Sequence, residues 1–412
     1  MQIPKKIIRK PLSLFMVFFR FKLWKLSHLE ILFRDLFGIH FQRNCSRDHL
    51  KATIRWLERA SDACSKLGVS AAYTFQFGWL PAYPEVTGYI IPTIFDYYYY
   101  CKDKRYFDMA VSMAEWELEI QLENGAIPNG YAGKDPAKFF LVEKQPTIFN
   151  TGMVMLGWNR TYKETKNKIF LDASTIAGNW LVLVQENNKT WEKWHTPIPN
   201  VSEFHTYYTK VSQALVELYY ITKNKSYLDC AFRHLNFALS QQKENGWFEN
   251  NSFQKGNQPL LHNIVYAIEG FLFSGIMLKK NSFIQAAIKP AEVLLKKFEI
   301  SKKPLKATYD ENWYSEDNYE CLTGEAQIAF IWLKIYEITK DARFLNSALK
   351  MNDHIKTTQK LNGFDNGIRG GIKGSQPIFR EYATCSYVNW AAKYFCDSLM
   401  LEDKIMKEIE KT

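Results

Sequence analysis

The sequence predicts an all-α fold: an (α/α)6 toroid of six helical hairpins behind a basic N-terminal extension. Three observations lead there. An aromatic-aliphatic pair recurs at Tyr106-Phe107, Phe170-Leu171, Tyr227-Leu228, Phe283-Ile284 and Phe344-Leu345, spaced 64, 57, 56 and 61 residues apart. Gln follows fifteen residues after four of these pairs, at Gln121, Gln185, Gln242 and Gln359, and Asn-Gly then follows at 124–125, 245–246 and 362–363. A repeat of this length marks stacked supersecondary units. Finally, one-sided amphipathic segments alternate with segments apolar all round, as outer and inner helices do.

Along the chain, residues 1–45 stand outside the repeat. Lys5, Lys6, Arg9 and Lys10 precede the apolar run 12–19, which Arg20, Lys22 and Lys25 then interrupt. The run is too short to span a bilayer and lacks a small-residue cleavage site. Such a mixture packs on the body, lies in a membrane interface, or, by its charge order, serves as a signal sequence. The toroid itself occupies 46–412. Its first outer helix covers 46–66, with Ser46 as the expected N-cap. Inner helices are expected at 86–101, 147–163, 205–222, 261–279, 318–339 and 381–399. An open solenoid of shorter repeats is the alternative, but it would not need the long loops at 122–146, 186–204 and 300–317, and loops of that size are usually functional.

Composition narrows the function. The chain has 412 residues, 47% of them hydrophobic, enough for a large core. Its net charge is +10, but residues 1–47 hold ten Lys or Arg against Glu30 and Asp35. The body is nearly neutral, which argues against nucleic acid as a partner. Seven Cys without a Cys-x-x-Cys pair fit a reducing, cytoplasmic setting, with membrane association through the extension as the variant. Glycosylation sequons at Asn159 and Asn188 carry little weight in that setting. Aromatic residues reach 16%. Some fill the ring, and others suit the stacking of sugar rings.

Chemistry is expected where the loops enter the inner helices. Trp79 to Gly88 is fixed by two Pro and one Gly and places Tyr83 and Glu85 at an inner-helix start, where an acid also favours the helix dipole. His205, Tyr207 and Tyr208 open the third inner helix. His262 and Tyr266 share a helix face at i,i+4, with Glu269 one turn on. Asp317, Glu320 and Glu325 cluster near the fifth inner helix, and Gly324 there allows a close backbone approach. Tyr382 opens the last inner helix and Trp390 follows within it, after the Gly-rich stretch 370–377, which reads as a demanding loop over a cleft because it lacks a phosphate-loop pattern. No local ligand pair indicates a metal, and no cofactor is expected. The catalytic set is therefore Glu85, His205, His262, Glu320 and Tyr382. The substrate-binding set is Tyr83, Tyr207, Tyr266, Asp317, Glu325 and Trp390.

The repeated aromatic, Gln and Asn-Gly hairpin, together with Pro84-Glu-Val-Thr-Gly88, resembles the six-hairpin glycosidase-like superfamily over about residues 46–400. The resemblance is architectural and selects no family within it. It implies carbohydrate chemistry on a polysaccharide or oligosaccharide, and fold analogy alone does not fix the reaction. Phe237 to Trp247 also looks like the Gln-Trp repeat of triterpene cyclases, but their Asp-x-Asp-Asp motif is absent. Cys321 and His262 lack the spacing of the protein prenyltransferase zinc site. Glycosidic-bond hydrolysis is the leading reading and would pair Glu85 with Asp317, Glu320 or Glu325 as the two carboxyl groups. Elimination or C5-epimerisation of a uronate would instead use His205, Tyr207, His262 and Tyr382. A noncatalytic polysaccharide-binding toroid is the third reading.

Overall fold

In the computed structural model, residues 11–133, 145–185, 190–194 and 204–411 are described. Two helices, α1 (Pro11–Arg20) and α2 (Leu26–Phe37), lead into six outer and inner pairs. These are α3 (Ser46–Asp62) and α4 (Pro84–Cys101), α5 (Lys104–Ile120) and α6 (Ile148–Thr165), and α7 (Lys168–Leu183) and α8 (Thr209–Thr222). There follow α9 (Lys225–Ser240) and α10 (Leu261–Leu278), α11 (Asn281–Ser301) and α12 (Leu322–Thr339), and α13 (Ala342–Thr358) and α14 (Asn389–Ile409). Each inner helix packs on the next, and α14 closes the ring against α3 and α4. The toroid predicted from the repeat is the fold observed.

Two devices in the sequence build the hairpins. Each inner helix from α4 to α12 ends on a Lys in the left-handed region: Lys102, Lys166, Lys223, Lys279 and Lys340. At four of these turns the next residue caps the outer helix, where Asp103, Asn167, Asn224 and Asp341 accept from the backbone N–H two residues on. A two-residue turn thus reverses the chain. The repeated Gln does the lateral work. The amides of Gln121, Gln185 and Gln242 donate to the carbonyls of Ala173, Cys230 and Ala286, each on the next outer helix, at 3.0, 3.0 and 2.8 Å. Gln359 closes the ring on α3, donating to the Thr53 hydroxyl at 2.8 Å while its oxygen lies 2.6 Å from His49 Nδ1.

Among the described residues, seven short strands pin the long loops at one end of the ring. β1 (Ala72–Thr74) pairs with β2 (Gly78–Trp79), β3 (Ile127–Pro128) with β4 (Pro146–Thr147), and β5 (Glu320–Cys321) with β6 (Ser375–Gln376). β7 (Ser386–Val388) pairs with β1. These strands correct two expected boundaries. The fifth and sixth inner helices begin at Leu322 and Asn389, later than 318 and 381, because ladder bonds hold the preceding residues extended. Ser46 is also not the cap of α3. Cys45 occupies that position, and the Ser46 hydroxyl binds Glu402 and Lys356.

The Gly-rich stretch after α13 is a packed loop. Gly370 has φ +82° and lies where a Cβ would come within 2.3 Å of the Ala52 carbonyl, so the loop approaches α3 backbone to backbone. Helix α2 docks on this side: His28 stacks on Phe75 at 3.9 Å, and Asp35 accepts from Lys373 Nζ and the Ile378 N–H, both at 2.7 Å. The sequon residue Asn159 is fully buried and donates to the Ala214 carbonyl, which removes it as a glycosylation site. Asn188 lies outside the described residues. Among the described helices, α10 alone is long and apolar enough to cross a bilayer, and here it is a largely buried stave of the ring.

Candidate active site

Pro84 starts α4 with the φ a first helical turn needs, which leaves Glu85 in the opening turn. Burial pushes the Glu85 carboxyl up to about 8, while a hydrogen bond with Tyr83 draws it partly back. A protonated carboxyl at neutral pH therefore sits at the entrance of the first inner helix. Its surroundings are phenolic. Tyr83, Tyr89, Tyr207, Tyr208, Tyr266 and Tyr382 are each raised mainly by burial (for Tyr382 also by Cys321), and each also lies in the field of Glu85. Residues from α4, α10, the turn before α8 and the loop before α14 thus converge on one carboxyl.

The aromatic groups form two layers. Beneath, Phe149 of α6 packs against Tyr207 at 5.3 Å and Tyr266 at 5.1 Å between ring centres. Tyr207 and Tyr266 are 5% and 1% exposed, so these two expected sugar contacts form the floor. Above them Tyr83 meets Tyr131 edge-on at 5.4 Å, and both keep partial exposure. Tyr382 is also partly exposed, and the Trp390 indole N–H donates to its hydroxyl at 2.8 Å. Trp390 therefore orients Tyr382 through that bond. His205 is buried against Tyr207, with ring centres 4.7 Å apart.

His262 is wired more deeply. Its Nδ1 lies 3.0 Å from Gln327 Oε1, Gln327 Nε2 donates to Glu269 Oε2 at 2.9 Å, and the Tyr394 hydroxyl donates to the same oxygen at 2.9 Å. Lys210 pairs with the other oxygen of Glu269. Burial alone would raise Glu269, but Lys210 and Lys393 and these hydrogen bonds hold it below the usual carboxylate value. Because the Gln327 amide nitrogen is turned to the carboxylate, its oxygen faces the ring, and His262 must donate from Nδ1. Nε2 is then the basic nitrogen. Burial lowers the imidazole to about 4, so it is neutral at physiological pH. The ring lies 4.3 Å from Tyr266 and 6.4 Å from Tyr382, centre to centre. Gly324 brings α12 close enough for this contact: a Cβ there would lie 2.8 Å from the His262 backbone nitrogen.

The three acids of the fifth hairpin do not join this group. Glu320 is on β5 and meets His354 of the outer helix α13 at 2.7 Å. Glu325 is fully buried; one oxygen accepts from the Leu305 N–H at 2.9 Å and the other lies 3.8 Å from His354. Burial and the charge of Glu320 raise Glu325 well above the ordinary carboxylate value. Asp317 accepts from the Thr308 N–H and hydroxyl at 2.8 and 2.6 Å and holds its own loop. The sequence grouped Asp317, Glu320 and Glu325 with the cleft because they adjoin α12 in the chain. The strand β5 turns Glu320 toward α13, while loop backbone takes up Glu325 and Asp317. One oxygen or nitrogen from each of Glu320, Glu325 and His354 lies within 4.8 Å of the others, so this set could hold a divalent cation. No local spacing signals it, because three separate elements supply it.

Tyr89 and Phe149 escaped the sequence reading. Tyr89 was findable, since it lies four residues after Glu85 on the same face of α4. Phe149 gives no signal beyond opening an inner helix. A cavity of about 600 Å³ opens at the opposite end of the ring. Its charges are matched in pairs, including Arg160 with Asp96 and Lys393 with Asp397, both at 2.7 Å. We place the candidate chemistry at the loop-bearing end, where a protonated carboxyl and a neutral imidazole are both available.

No protein-family model matches the sequence, and no curated protein does. Solved structures do match in fold. An unsaturated glucuronyl hydrolase specific for heparin aligns with TM-score 0.69 at 14% identity, over 88% of this chain and 98% of that one. A cellobiose 2-epimerase from Bacillus thermoamylovorans aligns with TM-score 0.68 at 13% identity, over 86% and 97%. An inactive variant of an alpha-1,6-mannanase from Salegentibacter aligns with TM-score 0.58 at 11% identity, over 87% and 99%. The class these likenesses define is one of fold alone: an (α/α)6 toroid of helical hairpins. Within that class no particular family is assigned.

Proposed function

We propose that the protein is a carbohydrate-active enzyme that moves a proton at a sugar carbon, in the manner of an isomerase or epimerase. The observation that carries this reading is the neutral His262, with Nδ1–H committed to Gln327 and Nε2 left basic, in the same aromatic mouth as a protonated Glu85. His262 acts as base toward a carbon-bound proton next to a carbonyl. Glu85 donates a proton to the oxygen on which negative charge develops, and Tyr382 adds a hydrogen bond there. Tyr83 and Tyr131 give the sugar ring an apolar face to stack on. Among the described residues, no Lys or Arg is a leading influence on Glu85, Tyr83, Tyr207, Tyr266 or Tyr382, and Lys393 meets the Tyr89 ring from the side of the opposite cavity. That favours a neutral sugar, because a uronate would need its carboxylate neutralised. The solved cellobiose 2-epimerase of the same fold supports the class of substrate.

Glycosidic hydrolysis is the second reading, favoured by the protonated Glu85 as general acid and by the hydrolases among the structures of like fold. It needs a second carboxylate near Glu85. Residues 1–45 are read as an extension and 46–412 as the catalytic toroid, with the extension meeting a membrane, as argued below.

The test is incubation with neutral reducing disaccharides in D2O, followed by NMR. Deuterium entering a C–H position, abolished in His262→Ala, is the expected result. New reducing ends without carbon-bound deuterium would overturn the proposal in favour of hydrolysis.

A further inference from the structure

The N-terminal helices are amphipathic in the wrong sense for a helix that only decorates a surface. On α2 the polar His28 and Asp35 are buried against the toroid with Ile31. The outward stripe is Leu26, Leu29, Phe33, Leu36 and Phe37, with exposures of 82, 47, 53, 64 and 66%. These fall at i, i+3, i+7, i+10 and i+11, one face of a helix. Exposed rings also gather on α1 and the turn that leads into α2, where Phe18, Phe19 and Trp24 pack ring to ring at 5.6 to 6.1 Å. Scattered exposed apolar residues are ordinary, but a contiguous platform of large ones marks a contact site.

Charge selects the occupant. The extension's two acids are both engaged: Asp35 is buried with Lys373, and Glu30 pairs with Arg34 and Lys360. Lys25 is exposed beside Trp24 and Lys22 is partly exposed, with no further acid between Pro11 and Asn44. We infer that α1 and α2 form a platform that seats the protein on an anionic lipid surface, with the Phe and Leu stripe in the interface and Lys22 and Lys25 at headgroup level. Apolar rings flanked by Lys are the composition of interfacial helices, and Trp favours the same boundary. The bonds of His28 and Asp35 fix the platform to the toroid, so the whole body is carried to the surface. This inference does not depend on the reaction proposed above.

The full chain is floated with vesicles of phosphatidylcholine alone and of phosphatidylcholine with phosphatidylglycerol. Binding to the anionic vesicles is expected, weakened about tenfold or more both by Phe33→Ser with Phe37→Ser and by raised salt. Lys22→Glu with Lys25→Glu should weaken it while leaving the apolar stripe intact. The rings are solvent-facing, so the melting temperature should hold, and it is measured alongside. Equal partitioning of all variants, or no vesicle binding by the parent, overturns the inference. A dimer of the parent that the double Ser variant dissociates, in the absence of vesicle binding, would assign the platform to a second copy and overturn it as well.

Discussion

Gln327 fixes the tautomer of His262 and ties the imidazole to Glu269. Its amide bridges the imidazole Nδ1 at 3.0 Å and the Glu269 carboxylate at 2.9 Å, and so determines that Nε2 is the basic nitrogen. Glu269 is itself held ionised by Lys210 and Lys393. The chain therefore carries negative charge toward the imidazole without placing a carboxylate in the mouth.

If His262 is the base, His262→Ala should cost about 10²–10⁴ in turnover. Gln327→Met, which keeps the volume and removes the bridge, should lower kcat while KM stays nearly fixed, since it touches no substrate. Steady-state kinetics on whichever disaccharide shows deuterium exchange distinguishes the two. A Gln327→Met enzyme with raised KM and unchanged kcat would contradict the positioning role.

The pH dependence follows from two opposite burials. His262 must be neutral, which it is above about pH 4, and Glu85 must be protonated, which it is below about pH 8. A bell-shaped kcat/KM profile with limbs near those values is expected. Stability moves with the same carboxyl. In the unfolded chain Glu85 ionises near pH 4.5, while in the folded chain it keeps its proton to about 8, so the folded state loses stability as pH rises across that window. Glu85→Gln should remove this part of the slope, and its melting temperature should gain on the parent between those limits. Parallel melting curves at every pH would show that Glu85 is not perturbed.

The repeated Gln residues are expected to be structural. Gln242→Ala strips the Ala286 carbonyl of its donor at the α9–α11 contact, and Gln359→Ala opens the His49 and Thr53 contacts where the ring closes. Each should cost about 1–3 kcal/mol in denaturant unfolding. Turnover measured well below the transition should be unaffected. Lost activity with unchanged stability would move these residues into the site.

Those Gln residues also show why so much of the fold was legible. Period, Gln offset and Asn-Gly turn are local patterns repeated by an architecture that needs the same lateral bond at each hairpin. The Lys before each Asp or Asn cap was equally readable, since Lys102-Asp103, Lys166-Asn167, Lys223-Asn224 and Lys340-Asp341 repeat at the same offset. The candidate site was legible where a residue's direction follows from its helix, as for Glu85, His262 and Tyr266. It was not legible where a two-residue strand intervenes. Glu320 lies two residues before α12, yet pairing of β5 with β6 turns it to His354, and no local pattern encodes a partner 34 residues away on an outer helix.

That pairing supports the last prediction. Glu320, Glu325 and His354 put two acids around one imidazole, and the Glu325 oxygen nearer the ring has no hydrogen-bond partner among the described residues. Glu325 is pushed up by burial first and by Glu320 second, which favours its neutral form beside the Glu320–His354 pair. His354→Ala removes the partner of Glu320 and leaves two carboxyl groups facing each other at a partly buried position. It should destabilise the fold by about 1–3 kcal/mol. Glu325→Gln keeps the shape and places a neutral group where burial already favours the neutral acid, so it should cost little stability. Thermal unfolding of both variants checks the assignment. If Zn²⁺ or Mn²⁺ raises the parent's melting temperature and leaves His354→Ala unmoved, the triad binds a cation and Glu325 is ionised after all.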